Sequence, residues 1–191
     1  MNGPVNTFLY RNVDLQHDLA VLVDLLKEVE QVDATGEVVT EERLREQLTW
    51  SGQDPALNNW VVTLPESGTL VAYGLLQKVS NDENADFHIA VHPAWRRRGI
   101  GSQLFTYLLK RAAELDTRAM RVYVNVQNEG ASHFVRSQGF TPVSAYTRLS
   151  VAATNAFPAP QLPEGFTVQS YDTIQRVEIY TGAMNSCYEG L

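Results

Sequence analysis

The stretch that decides the fold runs His88-Ile89-Ala90-Val91-His92-Pro93-Ala94-Trp95-Arg96-Arg97-Arg98-Gly99-Ile100-Gly101-Ser102. An apolar, β-branched run stops at a proline. It passes into a loop with two glycines two residues apart, and the loop opens directly into a helical pattern. Glycine lets a backbone turn tightly and bring its N–H groups close to a ligand. The first turn of a helix has N–H donors without intrahelical partners and carries a partial positive charge. A strand, a glycine loop and a helix start in this order form a receptor for phosphate or diphosphate, with the three arginines as flanking charge. Other phosphate motifs fit poorly. A dinucleotide fingerprint needs a third glycine three residues after Gly101, where Leu104 stands, and no Gly-Lys-Ser/Thr ending is present.

On the N-terminal side, residues 6–11 read as a short strand. Asp14 precedes an apolar stripe at Leu15, Leu19, Leu22, Leu26 and Val29, the spacing of an amphipathic helix. Thr40 is placed to cap a second helix, with Glu41 and Glu42 in its first turn and Leu44 and Leu48 facing inward. Residues 60–64 and 69–79 are β-rich around the turn Pro65-Glu66-Ser67-Gly68, and residues 85–91 add a third strand. On the C-terminal side, Ile100, Leu104, Phe105, Leu108 and Ala112 continue a helix. Residues 120–126 alternate as a strand, Ala131 to Val135 fit a short helix ending at Gly139, and residues 142–152 read as a closing strand. The order β, α, α, β, β, β, α, β, α, β predicts a mixed α/β sheet, antiparallel first and then crossing over.

The 191 residues suit one domain and a fraction, and 44% hydrophobic content is enough for a full core. The net charge of −7 hides an asymmetry: residues 1–95 sum to −10, residues 96–121 to +5 and residues 122–191 to −2. An acidic body with one basic cluster suits a small polyanion and argues against a nucleic-acid or anionic-membrane binder. The single Cys187 leaves no disulfide framework and no cysteine-rich metal site, so no metal is expected. No leader pattern or membrane-length apolar run stands out, so a cytoplasmic location is expected.

Arg96-x-x-Gly99-x-Gly101 resembles the acetyl-coenzyme A motif of the GNAT superfamily of N-acetyltransferases. Ile89-x-Val91-x-Pro93 resembles the strand before it, and Asn128-x-x-Ala131 with Gly139-Phe140 resembles the family's second cofactor motif. The resemblance covers residues 6–152. It implies that main-chain N–H groups of Arg96, Arg97, Arg98, Gly99, Ile100 and Gly101 hold the diphosphate of acetyl-CoA, with the Arg96, Arg97, Arg98 and Ser102 side chains nearby. It implies that the pantetheine arm runs along Ile89, Ala90 and Val91, where a main-chain N–H meets the thioester oxygen, and that Asn125 and Asn128 touch the cofactor from the far side. The implied reaction is direct acetyl transfer from acetyl-CoA to a primary amine of a small molecule or peptide. The alternative is a degenerate coenzyme A-binding module that supports a partner domain.

By alternation, Asp86, His88, Ala90 and His92 share one face of their strand. His88 is the first candidate for the base, because imidazole titrates near neutrality, and Asp86 is the second. The family often has an acid tyrosine seven residues after the motif asparagine, and here that position is Val135. The acid therefore comes from elsewhere, or the thiolate leaves unaided, or the domain binds without turnover. His133, Ser132, Tyr123 and Tyr146 have no positional support. After a domain over 1–152, residues 153–163 read as an Ala/Pro-rich linker. A strand over 165–171 and a helix over 173–185 then resemble the start of a second domain of the same family. That tail (residues 164–191) is expected to dock on the first domain or on a second copy of the chain, where it would complete an open sheet edge.

Overall fold

Five strands lie in one sheet, in chain order, in a computed structural model that describes residues 8–50, 54–78, 82–149, 161–168, 170 and 177–188. They are β1 (Leu9–Asn12), β2 (Asn59–Thr63), β3 (Leu70–Gln77), β4 (Asn84–Val91) and β5 (Ala119–Arg121). β1 to β4 pair antiparallel, and β5 pairs parallel to β4. This is the mixed sheet that the element order predicts. The chain divides into two units, residues 1–141 and 142–191, and the sheet belongs to the first.

Helices cover both sheet faces. On one face, α1 (Leu19–Asp33) and α2 (Glu41–Thr49) bring Leu22, Leu25, Leu44 and Leu48 onto Val61, Tyr73, Leu75 and Ala90. On the other, α4 (Ile100–Glu114) sets Ile100, Leu104, Phe105 and Leu108 against Val62, Val71, Ala72, Leu76 and Phe87. β3 is therefore buried from Leu70 to Leu76. Each fully buried leucine contributes about 2 kcal/mol relative to an exposed one. α4 approaches β3 closely at Gly74, where an added Cβ would stand 3.3 Å from Leu104.

Several boundaries differ from the sequence reading, each for a local reason. Asp14 does not open α1. Its side chain accepts from Gln16 N–H at 2.9 Å, and its carbonyl accepts from His17 and Asp18 N–H, so it forms a turn and the helix begins at Leu19. Thr40 does cap α2, accepting from Arg43 N–H at 3.2 Å. The short α3 (Pro55–Asn58), capped by Asp54 accepting from Ala56 N–H at 3.1 Å, was not foreseen. β5 stops at Arg121 instead of reaching Val126, because only Ala119, Met120 and Arg121 find partners on β4. α5 (Glu129–Ser137) is present as expected.

In the second unit, residues 142–149 carry no ladder. Val143, Tyr146 and Leu149 are exposed, so alternation there reflects no buried face. The rest of that expected strand and most of the expected linker lie outside the described residues. Gly165 (φ +86°) sits in a turn closed by Phe166 N–H to Pro163 O, so no strand starts there. The helix of this unit, α6, runs Val177–Tyr188. No helix among the described residues is long and apolar enough to cross a membrane.

Candidate active site

The site is organised by β4 and the turn that leaves it. His92 N–H donates to Val71 O, which fixes the parity of the β3–β4 ladder. Ala90 and His88 therefore turn their main-chain groups toward β3, and Phe87, Ile89 and Val91 turn theirs the other way. On that other side β5 pairs only with Asn84, Ala85 and Asp86. Beyond Asp86 the two strands part, and both main-chain groups of Ile89 and the N–H of Val91 lie along an open edge, while the Val91 carbonyl accepts from Arg96 Nε. Ala90, expected beside them, does not contribute its main chain there.

β4 ends in a 3-10 turn, Pro93–Trp95, capped by His92 Nδ1 accepting from Ala94 N–H at 3.2 Å. The loop then takes left-handed backbone at Arg97 (φ +62°) and Gly99 (φ +81°), and Gly99 is the N-cap of α4. Arg96 N–H donates back to Pro93 O at 3.4 Å. Among the described residues, the N–H groups of Arg97, Arg98, Gly99, Ile100, Gly101 and Ser102 have no acceptor. Such a run at a helix start is the kind of backbone that can receive an anion. Arg96, expected to supply the first N–H of this run, has its own already bonded to Pro93 O.

The three arginines have separate fates. Arg96 turns inward: Nη1 and Nη2 donate to Asp33 at 2.8 and 2.9 Å, and Nε donates to Val91 O at 2.9 Å. It is not a side-chain donor to the loop. Arg98 lies over the Trp95 ring, 4.6 Å from its centroid. Arg97 and Ser102 are exposed. Gly101 brings the start of α4 against α5, since a Cβ there would stand 3.6 Å from the Phe134 ring.

On the α1 face of β4, Asp86, His88 and Ala90 line up as alternation requires. Asp86 accepts from Arg121 Nε at 2.8 Å, and Arg121 also reaches Asp82 at 2.7 Å. Asp86 is thus held in an ion-pair network. His88 lies 6.5 Å from the Tyr73 ring, centroid to centroid. Its side chain reaches solvent, and the protein packed around it strips part of its hydration. That surrounding pushes its pKa below the ordinary 6.5, and the charges of Glu37 and Asp33 oppose the shift. Tyr73 is no acid for this site: its buried hydroxyl donates to Asn59 Oδ1 at 2.8 Å, and burial raises its pKa.

Asn125 and Asn128 serve local structure. Asn125 Oδ1 accepts from Gln127 N–H at 3.0 Å, and Asn128 Oδ1 caps α5 by accepting from Ala131 N–H at 2.9 Å. Sequence reasoning missed Asp33 and Glu37. Neither belongs to a motif, and both come close to the site only because α1 packs across β4.

The Acetyltransferase (GNAT) family matches residues 23–140. A mycothiol acetyltransferase of Streptomyces bingchenggensis is 29% identical over 153 residues, covering 78% of this chain and 48% of that protein. One from Thermobifida fusca is 32% identical over 118 residues, covering 61% and 35%. The chain thus spans about half the length, or less, of these curated relatives. Among solved structures, a GCN5-related N-acetyltransferase from Sphaerobacter thermophilus superposes with TM-score 0.61 at 18% identity, covering 75% of this chain and 45% of that one. A PaiA N-acetyltransferase from Thermoplasma acidophilum in complex with coenzyme A gives 0.58 at 19% identity, covering 71% and 90%. With more than half its length matched by the family, the chain belongs to the GNAT acetyltransferase family.

Proposed function

We propose that the first unit binds acetyl-CoA and transfers its acetyl group to a primary amine of a small molecule or peptide. The observation that carries this reading is the run of unpartnered N–H groups from Arg97 to Ser102, beside the open edge of β4 and with His88 on the adjoining face. Acetyl-CoA supplies an activated acetyl group, which passes to the amine nitrogen as the C–S bond breaks. The 97–102 amides and the exposed Arg97 hold the diphosphate. The edge groups of Ile89 and the Val91 N–H orient the pantetheine arm, and an edge N–H there meets the charge that develops on the carbonyl oxygen, a contribution of about 3 kcal/mol in comparable sites. His88 accepts the proton that the ammonium must lose before it can attack. Its lowered pKa keeps it neutral, and so able to act, at neutral pH. Asp86, Arg96, Asn125 and Asn128 hold the framework.

The acceptor of the mycothiol acetyltransferases is the first amine to try, because the curated relatives carry that name. The acidic surface before the basic turn favours a cationic acceptor. A second reading is favoured by one observation: Val135, which cannot donate a proton, stands where the family often has tyrosine. On that reading the unit binds coenzyme A and supports a partner without turnover. Calorimetric titration with acetyl-CoA, followed by thiol release over an amine panel, separates the two. Binding with thiol release supports the transferase. Binding with no release on any amine supports the module, and absence of binding defeats both.

A further inference from the structure

We propose that Arg96 is a positioning residue that acts through Asp33, tying the diphosphate turn to the α1–α2 loop so that the two order together. This rests on the reading of residues 97–102 as the cofactor cradle. All three guanidinium nitrogens are engaged inside the protein: two on Asp33, the last residue of α1, and Nε on the carbonyl of Val91, the last residue of β4. These three bonds use three of the five guanidinium N–H groups, and none of them goes to the turn that begins one residue later. The pair is shielded, with side-chain exposures of 32% for Arg96 and 17% for Asp33, against 56% and 57% for the surface pair Arg45–Glu41. Two parallel bonds in a shielded place fix orientation as well as proximity, and lysine cannot reproduce the fork.

The chain beyond Asp33 is equally constrained. Ala34 takes the left-handed helix-end conformation (φ +47°), and its N–H donates to Glu30 O at 2.8 Å. The Glu30 carboxylate gathers Thr35 Oγ1 at 2.5 Å, Gly36 N–H at 2.7 Å and Glu37 N–H at 3.3 Å. The clamp therefore extends from the turn, through Asp33, to a braced loop carrying Glu37, whose charge acts on His88. A second tie five residues earlier on α1, His92 Nε2 to Glu28 at 2.9 Å, joins the same helix to the same segment. Ordering the turn around a diphosphate then also orders the loop that flanks the base.

The test is the sign of the Asp33→Asn effect on coenzyme A affinity, measured by calorimetry. If Arg96 were itself a phosphate ligand, neutralising Asp33 would free it and remove a nearby negative charge, so binding would tighten. The clamp requires the opposite: Asp33→Asn and Arg96→Lys each weaken coenzyme A by about threefold to tenfold, the double variant is no worse than either single, and Asp33→Glu recovers part of the loss. Amide exchange is the second readout. In both single variants, exchange at residues 34–37 and at 97–102 should speed up together, and added coenzyme A should protect 34–37 in the parent protein but not in Asp33→Asn. Tighter or unchanged binding by Asp33→Asn, or faster exchange in only one of the two segments, overturns the proposal. If the parent protein binds no coenzyme A, the cofactor reading fails on its own, and the joint exchange of the unliganded proteins still decides the clamp.

Discussion

The turn after β4 and the turn before α5 both carry family-like residues, and the structure uses them in opposite ways. In the first, Arg96, one of the three flanking arginines, faces inward, and the main-chain N–H groups from Arg97 to Ser102 are left without acceptors. In the second, the side-chain oxygens of Asn125 and Asn128 hold a turn and a helix cap. A motif can thus be kept for its backbone shape or for its caps. The difference lies in what meets the main-chain N–H groups among the described residues: nothing from Arg97 to Ser102 in the first turn, but side-chain acceptors for Gln127 and Ala131 in the second. The first turn leaves six consecutive main-chain N–H groups without acceptors, whereas in the second the side-chain oxygens of both asparagines are already used.

If that contrast is right, substitutions should lose effect in a defined order. His88→Ala, on the strand feeding the first turn, should lower kcat by about 100-fold or more and leave coenzyme A affinity as it was. The pH profile sharpens this. Because the surrounding protein lowers the His88 pKa, the imidazole stays neutral to lower pH, and the acid limb of kcat/KM should fall below 6.5. A limb at or above that value would remove His88 from the role. Gly99→Val comes next. Gly99 has φ +81°, and nothing lies within 4 Å of a Cβ placed there, so the penalty is backbone strain alone. Left-handed backbone costs a side chain about 1–2 kcal/mol, and calorimetry should find coenzyme A bound roughly tenfold more weakly.

The second turn should respond in stability. Asn128→Ala removes the α5 cap and should cost about 1 kcal/mol in a denaturant melt, with at most a small change in affinity. A tenfold loss of affinity instead would return Asn128 to the cofactor and break the contrast. Gly101→Ala should do least, within about 0.5 kcal/mol of the parent stability. The added Cβ would meet the Phe134 ring at 3.6 Å, an ordinary contact, and the backbone there is not left-handed.

Much of the fold is legible in the chain alone. The strand–turn–helix around Gly99 is readable because period, proline, glycine and helix start are local signals that agree along one stretch. The antiparallel meander and the faces of β4 are readable for the same reason: alternation is a property of the strand itself. The start of α1 is misplaced by such reading because Asp14 and Asp18 compete for the same role. The side chain of Asp18 accepts from Arg11 at 2.6 and 2.7 Å and from Asp14 N–H at 2.7 Å, so neither aspartate caps the helix. The end of β5 and the strand expected over 142–152 are not readable, since a strand exists only where a neighbour supplies its ladder.

By itself, then, the amino-acid order determined the glycine turn, the helix stripes and the strand alternation, all of which arise from interactions within a few residues. Only the tertiary structure decided which donors remain available. Asp33 lies 63 positions from Arg96 and still removes its guanidinium from the turn, and Arg121, 35 positions away, does the same to Asp86. Charge pairing of this kind depends on distance in space, which chain order does not encode until the helices have packed against the sheet.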